Sequence, residues 1–225
     1  MAVSPLPALD TYSEQNSSFT VKHMGLVAYE TAWQAMKDFT RTRTSLTSDE
    51  IWLLQHPAVY TQGIAGKPEH LLVDSNIAVI KTDRGGQITY HGPGQIIAYL
   101  LLDIRRLKLG VRELVKRMET AVIHLLNEYQ IKAHGRKDMP GVYVDAAKIA
   151  SLGLKIKKDC CYHGIALNVD MDLKPFSAIN PCGYTGLEVT QTKDLGIEDD
   201  LDVLSYKLSD YLQKELVNKG PDISL

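Results

Sequence analysis

The chain has 225 residues, 44% of them hydrophobic and 23% charged, with a formal net charge of −2 and a pI near 6.4. That length suits one large domain whose core needs no disulfide or metal staple. The near-neutral balance gives no sign of nucleic acid or an anionic membrane as the main partner. The three cysteines are Cys160, Cys161 and Cys182, an odd count with two adjacent. They form no disulfide framework and no zinc-finger spacing, which fits a reducing compartment.

Residues 1–20 lack the basic and apolar regions of a signal peptide. The longest apolar run, 96–102, is too short to span a bilayer. The expectation is a soluble cytoplasmic protein with a loose, Ser- and Pro-containing extension over 1–20 and a single domain over 21–218.

In chain order, residues 25–42 read as a helix, because Tyr29, Ala32, Trp33, Met36 and Phe39 recur near a 3.6 period. Residues 50–54 read as a strand that stops at His56-Pro57, and 59–61 begin another. A Gly- and Pro-containing loop over 63–71 follows, then strand character at Leu72 and 77–81. The segment 84–95, RGGQITYHGPGQ, is glycine-rich, and the apolar 96–103 reads as a buried strand. Residues 111–129 form the clearest helix, with Val111, Leu114, Val115, Met118, Val122, Leu125 and Leu126 on one face. Strands are expected over 142–144, 148–154 and 164–169, and a last helix over 201–217, capped by Asp199 or Asp200. The pattern is α/β or α+β: a mixed β-sheet flanked by helices.

Three features carry chemistry. The glycine-rich segment lets a ligand approach the backbone, with Arg84, Gln87, Thr89, Tyr90 and His91 as nearby donors; a tight hairpin explains it equally well. It is neither a phosphate-binding loop nor a dinucleotide fingerprint. Cys182 lies between Pro181 and Gly183, which places it on a sharp turn and makes it the best presented of the three thiols. Lys148, between Ala147 and Ile149 on a strand, is expected to be partly desolvated, which would lower its pKa and suit it to proton transfer. His91 and His163 are the other candidate partners for a thiolate. Cys160 and Cys161 read as structural, and a zinc site with His163 is remote.

Taken in order, RGGQITYHGPGQ (84–95), KIASLG (148–153), HGIALNV (163–169) and NPCG (180–183) resemble the lipoyl(octanoyl) transferases. GLVAYETAWQA (25–35) and HPAVYTQG (56–63) match that family too, so the resemblance runs from about 24 to 215. It implies a fold similar to the catalytic domains of biotin and lipoate protein ligases, with Cys182 as nucleophile and Lys148 as its dyad partner. The substrate-binding positions it implies are Arg84, Gly85, Gly86, Gln87, Ile88, Thr89, Tyr90 and His91; Ser151, Leu152 and Gly153; and Gly164, Ile165 and Ala166, with His163 adjoining. The implied donor is octanoyl-acyl carrier protein. The implied acceptors are lipoyl domains of 2-oxoacid dehydrogenase E2 subunits and the glycine cleavage H protein. A thioester donor needs no ATP, so no cofactor and no metal are expected, and the chain is expected to act as a monomer. The rivals are an ATP-dependent lipoate or biotin ligase on the same fold and a non-catalytic binding module.

Overall fold

The computed structural model describes residues 13–14, 19–73, 76–180 and 186–217. In chain order its main elements are β1 (Ser13–Glu14), β2 (Phe19–Leu26), α1 (Tyr29–Thr42), β3 (Asp49–Gln55), β4 (Val59–Gln62), β5 (Val79–Lys81) and β6 (Ile88–His91). There follow β7 (Gln95–Asp103), α2 (Val111–Glu128), β8 (His134–Gly135), β9 (Gly141–Val144), β10 (Ala147–Lys157), β11 (Cys160–Asn168) and α3 (Leu201–Val217). One sheet runs β1-β2-β3-β7-β11-β10-β9-β8 and a smaller one β5-β4-β6. The large sheet is mixed: β2 and β3 are parallel and the other pairs are antiparallel.

The sheet is buried on both faces, and β7 shows how. Ile96, Ala98, Leu100 and Leu102 enter one core with α2 and α3, while Ile97, Tyr99 and Leu101 enter a second core under α1. That two-sided burial is why 96–103 reads as an unbroken apolar run rather than an alternation. On α2, Leu114, Met118, Ala121, Val122, Leu125 and Leu126 are buried, and they meet Leu204, Leu208, Leu212 and Leu216 of α3. Asp200 caps α3 by accepting the Val203 N–H at 2.9 Å, while Asp199 bonds Tyr129 and Lys207 instead. No helix among the described residues is long and apolar enough to cross a membrane.

Four expectations change at their edges. Helix α1 starts at Tyr29, because Gly25 (φ 62°) and Leu26 finish β2 and the Val27 N–H bonds the Gln55 carbonyl at 2.9 Å. Phe19 and Thr20, read as extension, belong to β2, where Phe19 is buried in the main core. Leu72 lies outside any strand, with its N–H on the Ala178 carbonyl. The β10–β11 hairpin is longer than the 148–154 and 164–169 readings. Its turn, Lys158-Asp159, has φ values of 49° and 60°. A two-residue turn with both φ positive suits a hairpin, but without the usual Asn-Gly or Asp-Gly it leaves no sequence signature.

At His163 the backbone is again left-handed, φ 66°. The kink interrupts strand alternation and brings His163 onto the same side as Tyr162, their rings stacked at 5.1 Å. The next residue must then be glycine, since a Cβ on Gly164 would lie 1.9 Å from the Ala98 carbonyl oxygen of β7. Gly164→Ala is expected to force the β7–β11 ladder apart. The cost is about 2 kcal/mol by analogy with overpacked cores, or roughly 4–8 °C in Tm for a chain of this size. A calorimetric Tm unchanged from the parent would show that the ladder absorbs the methyl group.

Candidate active site

Two of the sequence segments face each other across the β10–β11 ladder: Ser151 opposite Ala166, Leu152 opposite Ile165 and Gly153 opposite Gly164. Strand β9 pairs with β10 only as far as Ser151. Beyond that point the edge of β10 is taken by the glycine-rich segment, with the Gly85 N–H on the Leu154 carbonyl at 2.8 Å. The loop after β4 holds that segment from the other side, through Gly63 N–H to the Gln87 carbonyl and Ile64 N–H to the Arg84 carbonyl. The result is a half-open cleft. Arg84, Gly86, Gln87, Ile88, Thr89, His91, Ser151, Leu152, Gly153, His163, Gly164, Ile165 and Ala166 line it, together with Tyr29, Ile97 and Tyr99.

Lys148 does not line this cleft, and two of the expected substrate-binding residues are also placed elsewhere. Gly85 borders an adjoining apolar trough with Val111, Val115, Met139 and Leu154. Tyr90 points away, its ring against Tyr60 at 5.6 Å and Phe176 at 5.5 Å, in the small core beside the three-stranded sheet. Gln87 spans both cavities, and its buried Oε1 has no hydrogen-bond partner among the described residues.

Beneath the cleft lies a layer of polar side chains that the fold has already paired. The buried Arg84 guanidinium donates to Thr61 Oγ1 at 2.9 and 3.2 Å and to the Thr61 and Gly85 carbonyls, so it clips the loop to β4. His91 donates Nδ1–H to Gln95 Oε1 at 2.8 Å, while Thr61 Oγ1 lies 3.2 Å from Nε2. His56 donates Nδ1–H to the Val27 carbonyl at 2.6 Å, which leaves Nε2 to accept the Tyr99 hydroxyl at 2.7 Å. The tautomers follow because a carbonyl oxygen can only accept.

Burial sets the charge of this layer. It pushes His56 down from the ordinary 6.5 to about 4, against the pull of the Val27 carbonyl. Burial also takes His91 well below its ordinary value and lowers His163. The three imidazoles are therefore neutral at pH 7. Asp83 is the anion of the layer, opposite in sign to the Arg84 guanidinium. Burial alone would raise its carboxyl, but hydrogen bonds from His163, Tyr162 and Trp33 outweigh that and hold it well below the usual carboxylate range.

Lys148 is 2% exposed, on a β-bulge where β10 slips against β9 between Lys148 and Ala150. Its Nζ donates to the Pro140 carbonyl at 3.1 Å and lies 5.4 Å from the Tyr143 ring centroid. Gly141 makes room for it: a Cβ there would lie 2.4 Å from Lys148 Cε. The Lys148 backbone is bridged to Val189, with Lys148 N–H on the Glu188 carbonyl at 2.8 Å and Thr190 N–H on the Lys148 carbonyl at 3.0 Å. Cys182, with Pro181 and Gly183, lies outside the described residues.

Cys161 is packed in the main core, its Sγ on the Leu100 carbonyl at 3.4 Å and its thiol pushed up to about 12 by burial. Burial also raises the thiol of the half-exposed Cys160. Among the described residues no cluster of three or more His, Cys, Asp or Glu side chains is placed to hold a metal ion.

Sequence reading missed Asp83, Tyr29, His56, Tyr99 and Thr61 as site residues. The available signals were polar groups in apolar settings: Tyr99 within IIAYLLL, His56 at a strand end, and Tyr29 one turn before Trp33.

The sequence profile of the lipoyl protein ligase A/B catalytic domain matches residues 28–210. This chain belongs to that family. An octanoyltransferase of Nitrosomonas eutropha is 68% identical over 89% of this chain and 89% of its own length. This chain is accordingly an acyltransferase. Among solved structures, lipoate-protein ligase A bound with ATP superposes with a TM-score of 0.71 at 14% identity, over 90% of this chain and 86% of that one. A biotin protein ligase from Aquifex aeolicus, in complex with biotin and ATP, gives 0.55 at 13% identity over 87% and 69%. These last two are likenesses of fold.

The buried imidazoles tie stability to pH. His56 takes up a proton near pH 6.5 when unfolded but only near 4 when folded. Its contribution is therefore complete above pH 6.5 and is lost as pH falls toward 4, a change of about 3 kcal/mol. Urea unfolding of the parent at pH 7.5 and pH 4.5 should show this loss, and His56→Gln should show less of it. The same pH dependence in both proteins would assign the loss to other groups.

Proposed function

We propose that this chain transfers an octanoyl group from octanoyl-acyl carrier protein to a lysine of a lipoyl domain, by way of a thioester on Cys182. The observation that carries the reading is Lys148: a buried cation on a bulged strand, bridged to residues 188–190. Cys182 stands six positions before Glu188 in the same segment. A buried lysine costs stability unless it has a task or full compensation, and the close relatives are octanoyltransferases.

The chemistry follows from these groups. The Cys182 thiolate, stabilised by the Lys148 ammonium, attacks the thioester carbonyl carbon. The new C–S bond forms to Sγ as the bond to the phosphopantetheine sulfur breaks, and that sulfur leaves as a thiol with the proton given up by the Lys148 ammonium, which becomes a neutral amine. The acceptor lysine amine then attacks octanoyl-Cys182. Nitrogen forms the amide, Sγ leaves, and the amine proton passes to Lys148. Backbone N–H groups near Cys182 or Leu152-Gly153 would steady the tetrahedral oxyanion. Ile97, Leu152, Ile165 and Ala166 give the cleft an apolar lining for the acyl chain, with neutral imidazoles below. The acceptors would be lipoyl domains of 2-oxoacid dehydrogenase E2 subunits and the glycine cleavage H protein. The enzyme would act as a cytoplasmic monomer, since two protein substrates must reach one cleft in turn.

Mixing the purified chain with octanoyl-acyl carrier protein, without ATP, is expected to add one octanoyl mass that maps to the Cys182 peptide. Cys182→Ser should lose at least about 10³-fold in transfer. Full activity in that variant, or transfer that requires ATP, would instead support the ligase chemistry. Lys148→Ala is expected to lower kcat/KM by about 10²–10⁴-fold and to raise the pH at which iodoacetamide alkylates Cys182. An unmoved alkylation profile removes Lys148 from thiolate stabilisation.

A further inference from the structure

Lys148 is joined to a carboxylate through one peptide bond. Its Nζ donates to the Pro140 carbonyl at 3.1 Å, and the Gly141 N–H donates to Glu119 Oε1 at 2.9 Å. That carbonyl and that N–H are the two ends of the same planar amide. The order is ammonium, C=O, N–H, carboxylate, so the peptide dipole is aligned with both charges. Hydrogen bonds at the two ends of one amide polarise and strengthen each other. We propose that Glu119 is a positioning residue for Lys148, acting through the Pro140–Gly141 peptide to hold the ammonium in place and keep it charged. The inference rests on Lys148 being the dyad lysine.

Local structure supports the arrangement. Glu119 sits on α2 beside Met118, whose burial in the core fixes that turn of the helix against β9. Gly141 has φ 152°, and its missing Cβ is what lets Lys148 Cε pass the peptide it bonds. Tyr143 OH bonds the Met139 carbonyl at 2.9 Å, which steadies the chain on either side of the Pro140–Gly141 unit. Burial raises the Glu119 carboxyl, and the Gly141 N–H and the Lys148 charge draw it back.

Other charged and titratable groups near the pair, among the described residues, are engaged or directed elsewhere. Arg136 bonds Asp138 at 3.0 Å and packs over Tyr143. His134 stacks on Tyr143 at 6.0 Å, and Glu188 is exposed beyond its backbone bond to Lys148. On α2, Glu113 pairs with Arg117, and Arg112 and Lys116 are exposed.

Glu119→Gln keeps an oxygen for the Gly141 N–H and removes only the charge. A carboxylate favours the ammonium form, so its removal should move that balance toward the neutral amine. The measurement is a ¹⁵N NMR titration of the Lys148 Nζ signal in the full chain, assigned with Lys148→Arg. An unchanged midpoint overturns the proposal. The alkaline limb of kcat/KM should move with that midpoint, whereas a merely structural glutamate would lower kcat/KM equally at every pH. A shifted Nζ titration with an unmoved rate profile supports the relay and overturns the catalytic part assigned to Lys148. If Glu119→Gln does not fold, the parent protein carries the test. The Gly141 amide proton must then titrate with the Glu119 carboxyl, at a midpoint above the ordinary glutamate value, and a flat Gly141 shift overturns the relay.

Discussion

The bulge in β10 is the constraint on which the site depends. Between Lys148 and Ala150 the strand carries two residues against one of β9. Strict alternation would send Ile149 and Ala150 to opposite faces, yet both enter the main core. The extra residue re-aims Lys148 into a buried slot between β9 and the 188–190 segment, as bulges do beside functional groups. From Ala150 onward β10 is back in register with β11, so Ser151, Leu152 and Gly153 meet Ala166, Ile165 and Gly164. One local irregularity thus places the lysine and leaves the cleft floor regular.

The rim of the cleft is made rigid by hydrogen bonds within the protein. Arg84 and His91 resemble substrate donors when met in sequence, and the fold adds His56 and Asp83 to the same layer. In the fold each is committed, Arg84 to Thr61, His91 to Gln95, His56 to Tyr99 and Asp83 to Tyr162, His163 and Trp33. Their spent capacity leaves a cleft whose inner wall is close to neutral, which suits an acyl chain better than a charged head group. Among the described residues Gln87 Oε1 is the exception, an acceptor without a hydrogen-bond partner where the cleft and the neighbouring trough meet.

The two kinds of histidine environment also divide the labour. His56 and His91 sit under the cleft in an aromatic layer with Tyr29 and Tyr99, and burial keeps them neutral. His163 reaches the same layer only because its backbone is left-handed. That kink sets Tyr162 and His163 side by side on Asp83 and forces a glycine next to them. The HGIA segment therefore has a mechanical reason for its first two residues, separate from any contact with substrate.

Much of this was legible in the linear chain. Period 3.6 located α2 and α3 to within a residue, because each has one wide apolar face and a polar outside. Two-sided burial made β7 unmistakable. The glycine-rich segment, KIASLG and HGIALNV were grouped into one site by their resemblance to the lipoyl(octanoyl) transferases, not by residue type alone. Other features could not be read there. The peptide that joins Lys148 to Glu119, the commitment of Arg84 to Thr61 and the turning away of Tyr90 all depend on which face of a strand meets which neighbour. Residue types and local periodicity were determined by the sequence itself. Partners across 20 to 80 positions, such as Asp83 with His163, were decided by tertiary packing, because a hydrogen bond depends on distance in space and the chain records only distance along itself.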